Sequence, residues 1–559
     1  MQFNLNKHKN DLIFLPLGGS GEIGMNFNLY YYQGKWLIVD CGCGFAEDYL
    51  PGVDMIVPDI SYIMKHKKNI AGMVLTHSHE DHLGAVQYLW EALECPIYAS
   101  RFTSAFLHGK LHENGVEHSN DIFDLPIQGK VKIGPFNIET VPLSHSIPEM
   151  QALVIKTHLG NVFHTGDWKF DSNPVIGEVN DEQLLADYGN RGVLAVVGDS
   201  TNVFNTDPPI SESKLKESLT DLVASCKKML IVTTFASNVG RLETLIKAGH
   251  RAGRKVALSG RSLKRILAAA QETGYLQDIP ELVDEKDVGK YERSKIMIIS
   301  TGCQGEPLAA MTKIANQTHP KIKIANGDTV IFSSKIIPGN DKKIYRLFNN
   351  LVKLGVEVFT EKDHFVHISG HPGKEELKRL YKLLKPNTLI PVHGEHVHMH
   401  EHVKLGKSLG IKHNIEVENG TVVKLAPDAP QKIGKVESGE LAVYGSYFIK
   451  PDSGIMKVRR NLRNDGIVIA TIVISKKQQL AVDPIIIAPG YLDEVEDMHL
   501  IYHIQDEVRI LVEGQVMSKK KKVKAMLADL QKIIKSRIKS ILKREVEKIP
   551  TIQVIIRVI

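Results

Sequence analysis

The stretch Leu75-Thr76-His77-Ser78-His79-Glu80-Asp81-His82 constrains this chain more than any other, because it packs three histidines and an aspartate into six residues. The segment before it, Gly72-Met73-Val74-Leu75, is apolar and reads as a buried strand. After it, Leu83, Val86, Leu89, Trp90 and Leu93 recur at helical spacing. The polar residues therefore sit on a strand-to-helix turn. In extended backbone His77 and His79 project to the same side. Asp81 and His82 follow where the chain turns and can face a second point nearby. Imidazole nitrogen and carboxylate oxygen suit zinc or manganese.

A chain of 559 residues is too long for one core, and its size suggests two to four domains. Five cysteines, with no Cys-x-x-Cys pair, argue against a disulfide framework and against a thiolate metal site. Cys41 and Cys43 read as small packing residues. No apolar run approaches the ~20 residues that cross a bilayer. The polar opening Met1 to Asp11 lacks the apolar core of a signal peptide, so a cytoplasmic protein with no membrane partner is expected. Net charge is only +6, but Lys519 to Lys548 holds ten lysines and two arginines against three acids, leaving the rest of the chain slightly acidic. Such a block can hold nucleic-acid phosphates or form a solvated helix face.

Gly19-Ser20-Gly21-Glu22-Ile23-Gly24 spells G-x-G-x-x-G, yet the Met25 to Tyr32 segment after it is strand-like, where a dinucleotide site needs a helix. The glycines read instead as a tight loop between strands. Trp36 to Asp40 is a strand ending in an aspartate. Phe136 to Leu143 leads into Ser144-His145-Ser146, and Val162 to Gly166 into Asp167-Trp168-Lys169. From about residue 205, strands alternate with helices, which implies a parallel, helix-covered sheet. Thr388 to Val392 is a strand ending at His393. The histidines at 396, 398, 400 and 402 read as an exposed face. Pro427, Pro430, Gly434 and Gly439 suggest a linker over 431–465. Beyond it come strands over 466–475 and 483–488, an apolar helical stripe from Val523 to Leu542, and a final strand from Thr551.

The His-x-His-x-Asp-His turn is similar to the signature of the metallo-β-lactamase fold. With the Gly18-Gly19…Glu22-Ile23-Gly24-Met25-Asn26 string and the two strand ends at His145 and Asp167, the chain resembles the ribonuclease J family, the β-CASP ribonucleases of that fold. The family's turn usually carries glycine where Ser78 stands. The resemblance implies an αββα sandwich over 1–205 and 366–430, a parallel α/β β-CASP domain inserted at 206–365, a linker at 431–465, and a small α/β domain at 466–559. It implies two zinc ions, with manganese or magnesium as alternatives. His77, His79 and His145 would hold one, Asp81, His82 and His393 the other, with Asp167 between them and Asp40 supporting from behind. Asp81 would orient a water and take its proton, and His371 would assist the leaving oxygen. Ala236-Ser237-Asn238 and His367-Ile368-Ser369-Gly370-His371 would grip a 5′ phosphate; helix caps are the plainer reading of both.

The activity so implied is 5′-to-3′ exonucleolytic and endonucleolytic cleavage of RNA, in mRNA decay and rRNA maturation, with 5′-monophosphate preferred. Other RNA-degradation proteins are possible partners. The C-terminal domain would support a homodimer or homotetramer, its apolar stripe and last strand supplying the surface, unless its lysines bind RNA. A small-molecule hydrolase of the same fold has no need of a ~160-residue insert. A non-catalytic RNA-binding component would be expected to have lost ligands, and none of the seven is missing.

Overall fold

The computed structural model describes residues 3–116, 121–476, 479–514 and 523–559, with the side chains of 523–526 left aside; Lys519 to Lys522 of the basic block lie outside these. The chain divides into one unit of Met1–Gly44 and Val57–Gly439 and a second of Phe45–Ile56 and Glu440–Ile559.

Two sheets face each other in the first unit. One has eight strands, with Leu12–Gly18, Phe27–Tyr32, Lys35–Val39 and Ile70–Val74 at its centre. The other has seven, among them Phe136–Pro142, Gln151–Thr157, Gly160–His164, Ala195–Asp199 and Thr388–Val392. Alternate residues of the central strands point inward, so Phe14, Tyr30, Leu37 and Val74 of the first sheet meet Ile138, Leu153, Val197 and Ile390 of the second in one dry core. The outer face of the second sheet packs Phe163 and Val196 against Leu185, Leu380 and Leu405 of three helices, Glu182–Arg191, Lys374–Leu384 and His396–Ser408. On the outer face of the first sheet, Trp36 meets Tyr62 of the helix Ser61–Met64 edge to face at 5.9 Å, in keeping with the expected αββα layers. Phe27–Tyr32 is the strand that rules out a dinucleotide loop.

Within each sheet, parallel neighbours bring chain ends to one edge. Lys35–Val39 pairs in parallel with Ile70–Val74, aligning Val39 with Val74. Gly160–His164, Ala195–Asp199 and Thr388–Val392 are also mutually parallel, with Asp199 beside Val392. Between these last two strands the chain makes a parallel six-stranded sheet, in the order Leu282–Val283, Lys255–Ser259, Ile296–Ser300, Leu230–Thr234, Thr329–Ser333, Glu357–Phe359. Its strands are continuous apolar runs such as Ile296-Met297-Ile298-Ile299, buried on both faces.

The second unit holds a three-stranded sheet with Ile467–Ile474 at its centre, antiparallel to Ile485–Ile487 and parallel to Thr551–Val558. Strict alternation of burial along Ile467–Ile474 leaves one face for two helices, Met498–Glu513 and Val523–Glu545. The first of these has Leu500, Ile504, Val508 and Val512 at four-residue spacing, a pattern the sequence reading passed over. The expected helical stripe does not face outward: Leu530, Ile534, Ile538, Ile541 and Leu542 are consumed by the unit's own core. Residues 431–465 are not a linker. Gln431–Lys435 is an edge strand of the eight-stranded sheet, Glu440–Tyr444 and Tyr447–Ile449 join a sheet with Met55–Pro58 and Gly44–Phe45, and Gly454–Asp465 is a helix. Local composition misled here because Met55–Pro58, the strand beside Glu440–Tyr444, lies almost four hundred residues away. Among the described residues no helix is long and apolar enough to cross a membrane.

Candidate metal centre

The strand ends just described converge. His77 and His79 follow Ile70–Val74, and a one-turn helix, Glu80–Leu83, carries Asp81 and His82. His145 follows Phe136–Pro142, Asp167 follows Gly160–His164, and His393 follows Thr388–Val392. All seven side chains reach one buried cleft. Ligand atoms of His77, His79, His145 and Asp167 lie within 4.8 Å of one another, as do those of Asp81, His82, Asp167 and His393.

The atoms fit a cation pair. His79 Nδ1 stands 3.1 Å from both His77 Nε2 and His145 Nε2, near the ~3.3 Å edge of a tetrahedron with ~2.05 Å bonds. Lone pairs gathered so closely repel unless positive charge sits among them. Asp167 spans both groups: its Oδ2 lies 3.7 Å from His77 Nε2 and 3.2 Å from His82 Nε2, and its Oδ1 lies 3.7 Å from His393 Nε2. That Oδ1 is buried with no hydrogen-bond partner, a costly vacancy that a cation would fill. His393 Nε2 is 3.0 Å from Asp81 Oδ2.

Each histidine offers its second nitrogen, or its tautomer, to a fixed partner, the arrangement that orients metal ligands. His82 Nδ1 donates to Asp40 Oδ2 at 2.7 Å, and Asp40 also accepts from Thr76 N at 2.8 Å and from Thr76 Oγ1, which lies 3.0 Å from His77 Nδ1. Asp40 has φ +66°, a conformation aspartate tolerates. His145 Nδ1 donates to Gly370 O at 2.7 Å, and His393 Nδ1 meets Thr201 Oγ1 at 2.6 Å. Two glycines permit the closeness. A Cβ on Gly370 would stand 2.8 Å from His145 Cε1, and one on Gly42 would stand 1.7 Å from Asp81 O. Gly42 lies between Cys41 and Cys43, whose backbone amides bond to His82 O and Glu80 O; the two thiols are buried and burial pushes both up, so they pack and do not ligate.

Charge divides the site. Burial and the neighbouring rings hold His77 and His145 well below the ordinary imidazole range, and burial takes His79 down to about 4. These three are in the neutral form that binds metal. Around Asp167 the balance reverses: burial opposes charge on His82, but Asp167, Asp40 and Asp81 raise it. Burial likewise opposes the Asp81 carboxylate, yet His82 and His393 keep it ionised.

Asp199 is the residue the sequence reading missed. It accepts from His371 Nδ1 at 2.8 Å and lies with Asp167, His371 and His393 in a third group of close ligand atoms. Despite burial, Asp199 and Asp167 raise His371 to about 9. A carboxylate closing a buried strand, as at Asp40, was the available signal. Of the expected phosphate loops, Asn238 Oδ1 accepts from Arg241 N at 2.8 Å and caps the helix Val239–Arg251, so that oxygen is a cap. Among the described residues no hydrogen bond or ion pair ties Ala236 or Ser237 to the cleft, and Ser369 Oγ accepts from His371 N at 3.1 Å. The four clustered histidines do not form one exposed face. His402 is buried between Ser200 Oγ, at 2.9 Å, and the Tyr381 hydroxyl, at 2.5 Å. His164 is structural, with Nδ1 2.9 Å from Tyr30 OH.

Facing sheets, outer helices and ligand-bearing loops at one edge define the metallo-β-lactamase class, here with a parallel α/β insert. Comparison with known proteins agrees. Residues 25–189 match the metallo-β-lactamase superfamily, 227–351 the β-CASP domain of ribonuclease J, 355–417 a Zn-dependent metallo-hydrolase RNA specificity domain, and 454–559 the ribonuclease J C-terminal domain. Ribonuclease J of Sinorhizobium meliloti is 38% identical over 98% of this chain and 97% of its own length. Ribonuclease J 1 of Streptococcus pyogenes is 34% identical over 90% of each chain, and ribonuclease J2 of Bacillus subtilis 34% identical over 90% of this chain and 92% of its own. A solved structure of a protein of unknown function from Enterococcus faecalis shares the fold, with TM-score 0.52 and 17% identity over 74% of this chain and 99% of that one. The chain belongs to the ribonuclease J family.

Proposed function

We propose that this protein is a ribonuclease that uses two zinc ions, or manganese or magnesium in their place, to degrade RNA from its 5′ end toward the 3′ end and to cut internally, acting in mRNA decay and rRNA maturation. The observation that carries the reading is the pair of ligand sets sharing Asp167, whose Oδ1 is buried and unpartnered. When bound, such a cation pair supplies charge stabilisation at the phosphoryl group and a water of lowered pKa. His77, His79 and His145 would hold one ion, Asp81, His82 and His393 the other, with Asp167 between.

The chain's own groups supply the rest. Asp81, held ionised and a third exposed, faces the cleft and can orient the water and accept its proton. His371 has Nδ1 fixed by Asp199, which leaves its Nε2–H for the departing oxygen. His367 Nδ1 is buried with no hydrogen-bond partner, and Arg241, Lys335 and Lys169 surround that ring with positive charge. A 5′-monophosphate placed there would find a ring N–H and cations, which supports a preference for that end. Arg241 fixes this loop, donating to Val366 O at 3.2 Å. Association into a dimer or tetramer is supported by Thr551–Val558, an edge strand of its sheet.

Digestion of 5′-labelled RNA tests the reading. With zinc or manganese the protein should release labelled mononucleotides, and His77→Ala should release none. Undiminished release by His77→Ala, or intact RNA with the wild type, overturns it.

A further inference from the structure

The inserted sheet carries a second cavity that the metal cleft does not use. About 180 Å³ in volume, it opens between the end of Thr329–Ser333, the helix Asp341–Lys353 and the loop at 360–363. Its walls are aromatic. Phe332 and Phe348 meet edge to face at 4.7 Å, and Tyr345 meets Phe348 at 5.8 Å. Tyr345 is 48% exposed, its hydroxyl accepting from Lys362 Nζ at 3.3 Å.

Strand geometry ties this cavity to the cleft. Successive side chains of a strand point to opposite faces. Phe332, Ser334 and Ile336 line the cavity. The intervening Ser333 points the other way, donating from Oγ to Val366 O at 2.7 Å, directly before His367. Lys335, two residues on, is among the cations that act on His367. Gln304 pins the segment, donating from Nε2 to Lys335 O at 2.8 Å and accepting from Ile337 N at 3.0 Å. Cavity and loop thus lie on opposite sides of one strand end.

Size and charge select the occupant. Drug-sized ligands need ~300–1,000 Å³, so this space admits one planar ring. Residues 335–362 hold six lysines and arginines against three acids, a surplus that suits an anionic backbone. Thr360, Glu361 and Lys362 on the rim offer donors and acceptors for a ring edge. We propose that this cavity is a subsite for one unpaired nucleobase of an RNA strand whose end lies in the metal cleft, with Tyr345 as its stacking face. The inference rests on the reading of the chain as an RNA hydrolase.

Abasic scanning tests it. EDTA-treated protein is titrated with a labelled 5′-monophosphorylated octaadenylate, intact or with one base removed at each position in turn, and binding is read by anisotropy. One internal position should lose about tenfold in affinity when abasic, the scale of stacking a base on an aromatic ring. Tyr345→Ala should bind the intact strand about tenfold more weakly and be indifferent to that position alone, whereas Tyr345→Phe should behave as wild type. Should Tyr345→Ala unfold, Tyr345→Leu keeps the bulk and removes the stack. A flat scan, or a sensitive position unchanged by loss of Tyr345, overturns the subsite, and a sensitivity at every position assigns the cavity to something other than RNA. Failure of the broader reading shows separately, as metal-loaded wild-type protein that leaves RNA intact.

Discussion

Replacing Asp40 by asparagine should weaken metal binding without disturbing the fold around it. Asp40 stands at φ +66°, and asparagine occupies that region as readily as aspartate, so the change adds no backbone strain. Its carboxylate accepts from His82 Nδ1 at 2.7 Å, from Thr76 N at 2.8 Å and from Thr76 Oγ1 at 2.9 Å. An amide cannot serve all three. With its NH₂ toward His82 it meets a ring donor; with its oxygen there, its NH₂ meets the Thr76 amide. Either way one buried donor loses its acceptor, costing ~1–3 kcal/mol. That matches the 10–100-fold, or ~1.4–2.7 kcal/mol, by which supporting residues change metal affinity. Competition with a chromophoric chelator at pH 7.5 measures it. The ion held through His82 should weaken 10–100-fold, and the His77 group less, since only Thr76 relays the change there. Affinities within twofold of wild type for both ions would refute the claim that Asp40 orients His82.

Gly370→Ala should cut RNA cleavage at least tenfold with little change in melting temperature, because its methyl would stand 2.8 Å from His145 Cε1 on a partly exposed loop; wild-type kcat would contradict this. Acid should weaken the metal-free fold. Burial pushes His164 and His402 down to about 4, while unfolded they titrate near ~6.5. Stability present above pH ~6.5 is then lost as pH falls toward about 4, by at most ~1.4 kcal/mol per pH unit for each ring. His371, raised to about 9 against its burial by Asp199 and Asp167, contributes stability that is complete below pH ~6.5 and so opposes that slope only above it. Urea midpoints should fall from pH 7 to 6 to 5, and a flat profile would count against buried neutral rings. Asn238→Ala should cost ~1 kcal/mol through its lost cap, and a rise in KM for 5′-monophosphorylated RNA beyond that loss would restore a substrate role to the loop. Ile534→Ala, buried at the centre of the second unit, should cost ~2–5 kcal/mol in its unfolding.

Local pattern carried the reading furthest where chemistry and secondary structure coincide. The His77–His82 turn announces itself because strand alternation and helix onset place its ligands without reference to the rest of the chain. Asp199 was passed over because its role comes from pairing with a strand almost two hundred residues on, which sets it beside His393. His402 was misjudged because a run of polar rings suggests an exposed face, whereas the helix turns one of them into the core, alongside Met399 and Val403. The 431–465 stretch looked like a linker because Met55–Pro58, which shares a sheet with Glu440–Tyr444, is remote in sequence. Gly370 read as part of a phosphate loop, but contact with His145 across 225 positions makes its carbonyl a support for a ligand.

The most direct test is metal stoichiometry. Protein reconstituted with zinc, freed of excess ions and measured by mass spectrometry of the intact chain should hold two ions. Asp167→Ala, which removes the one side chain common to both groups, should hold fewer than one. A wild-type count of one or none, or an Asp167→Ala protein that still carries two, would contradict the account.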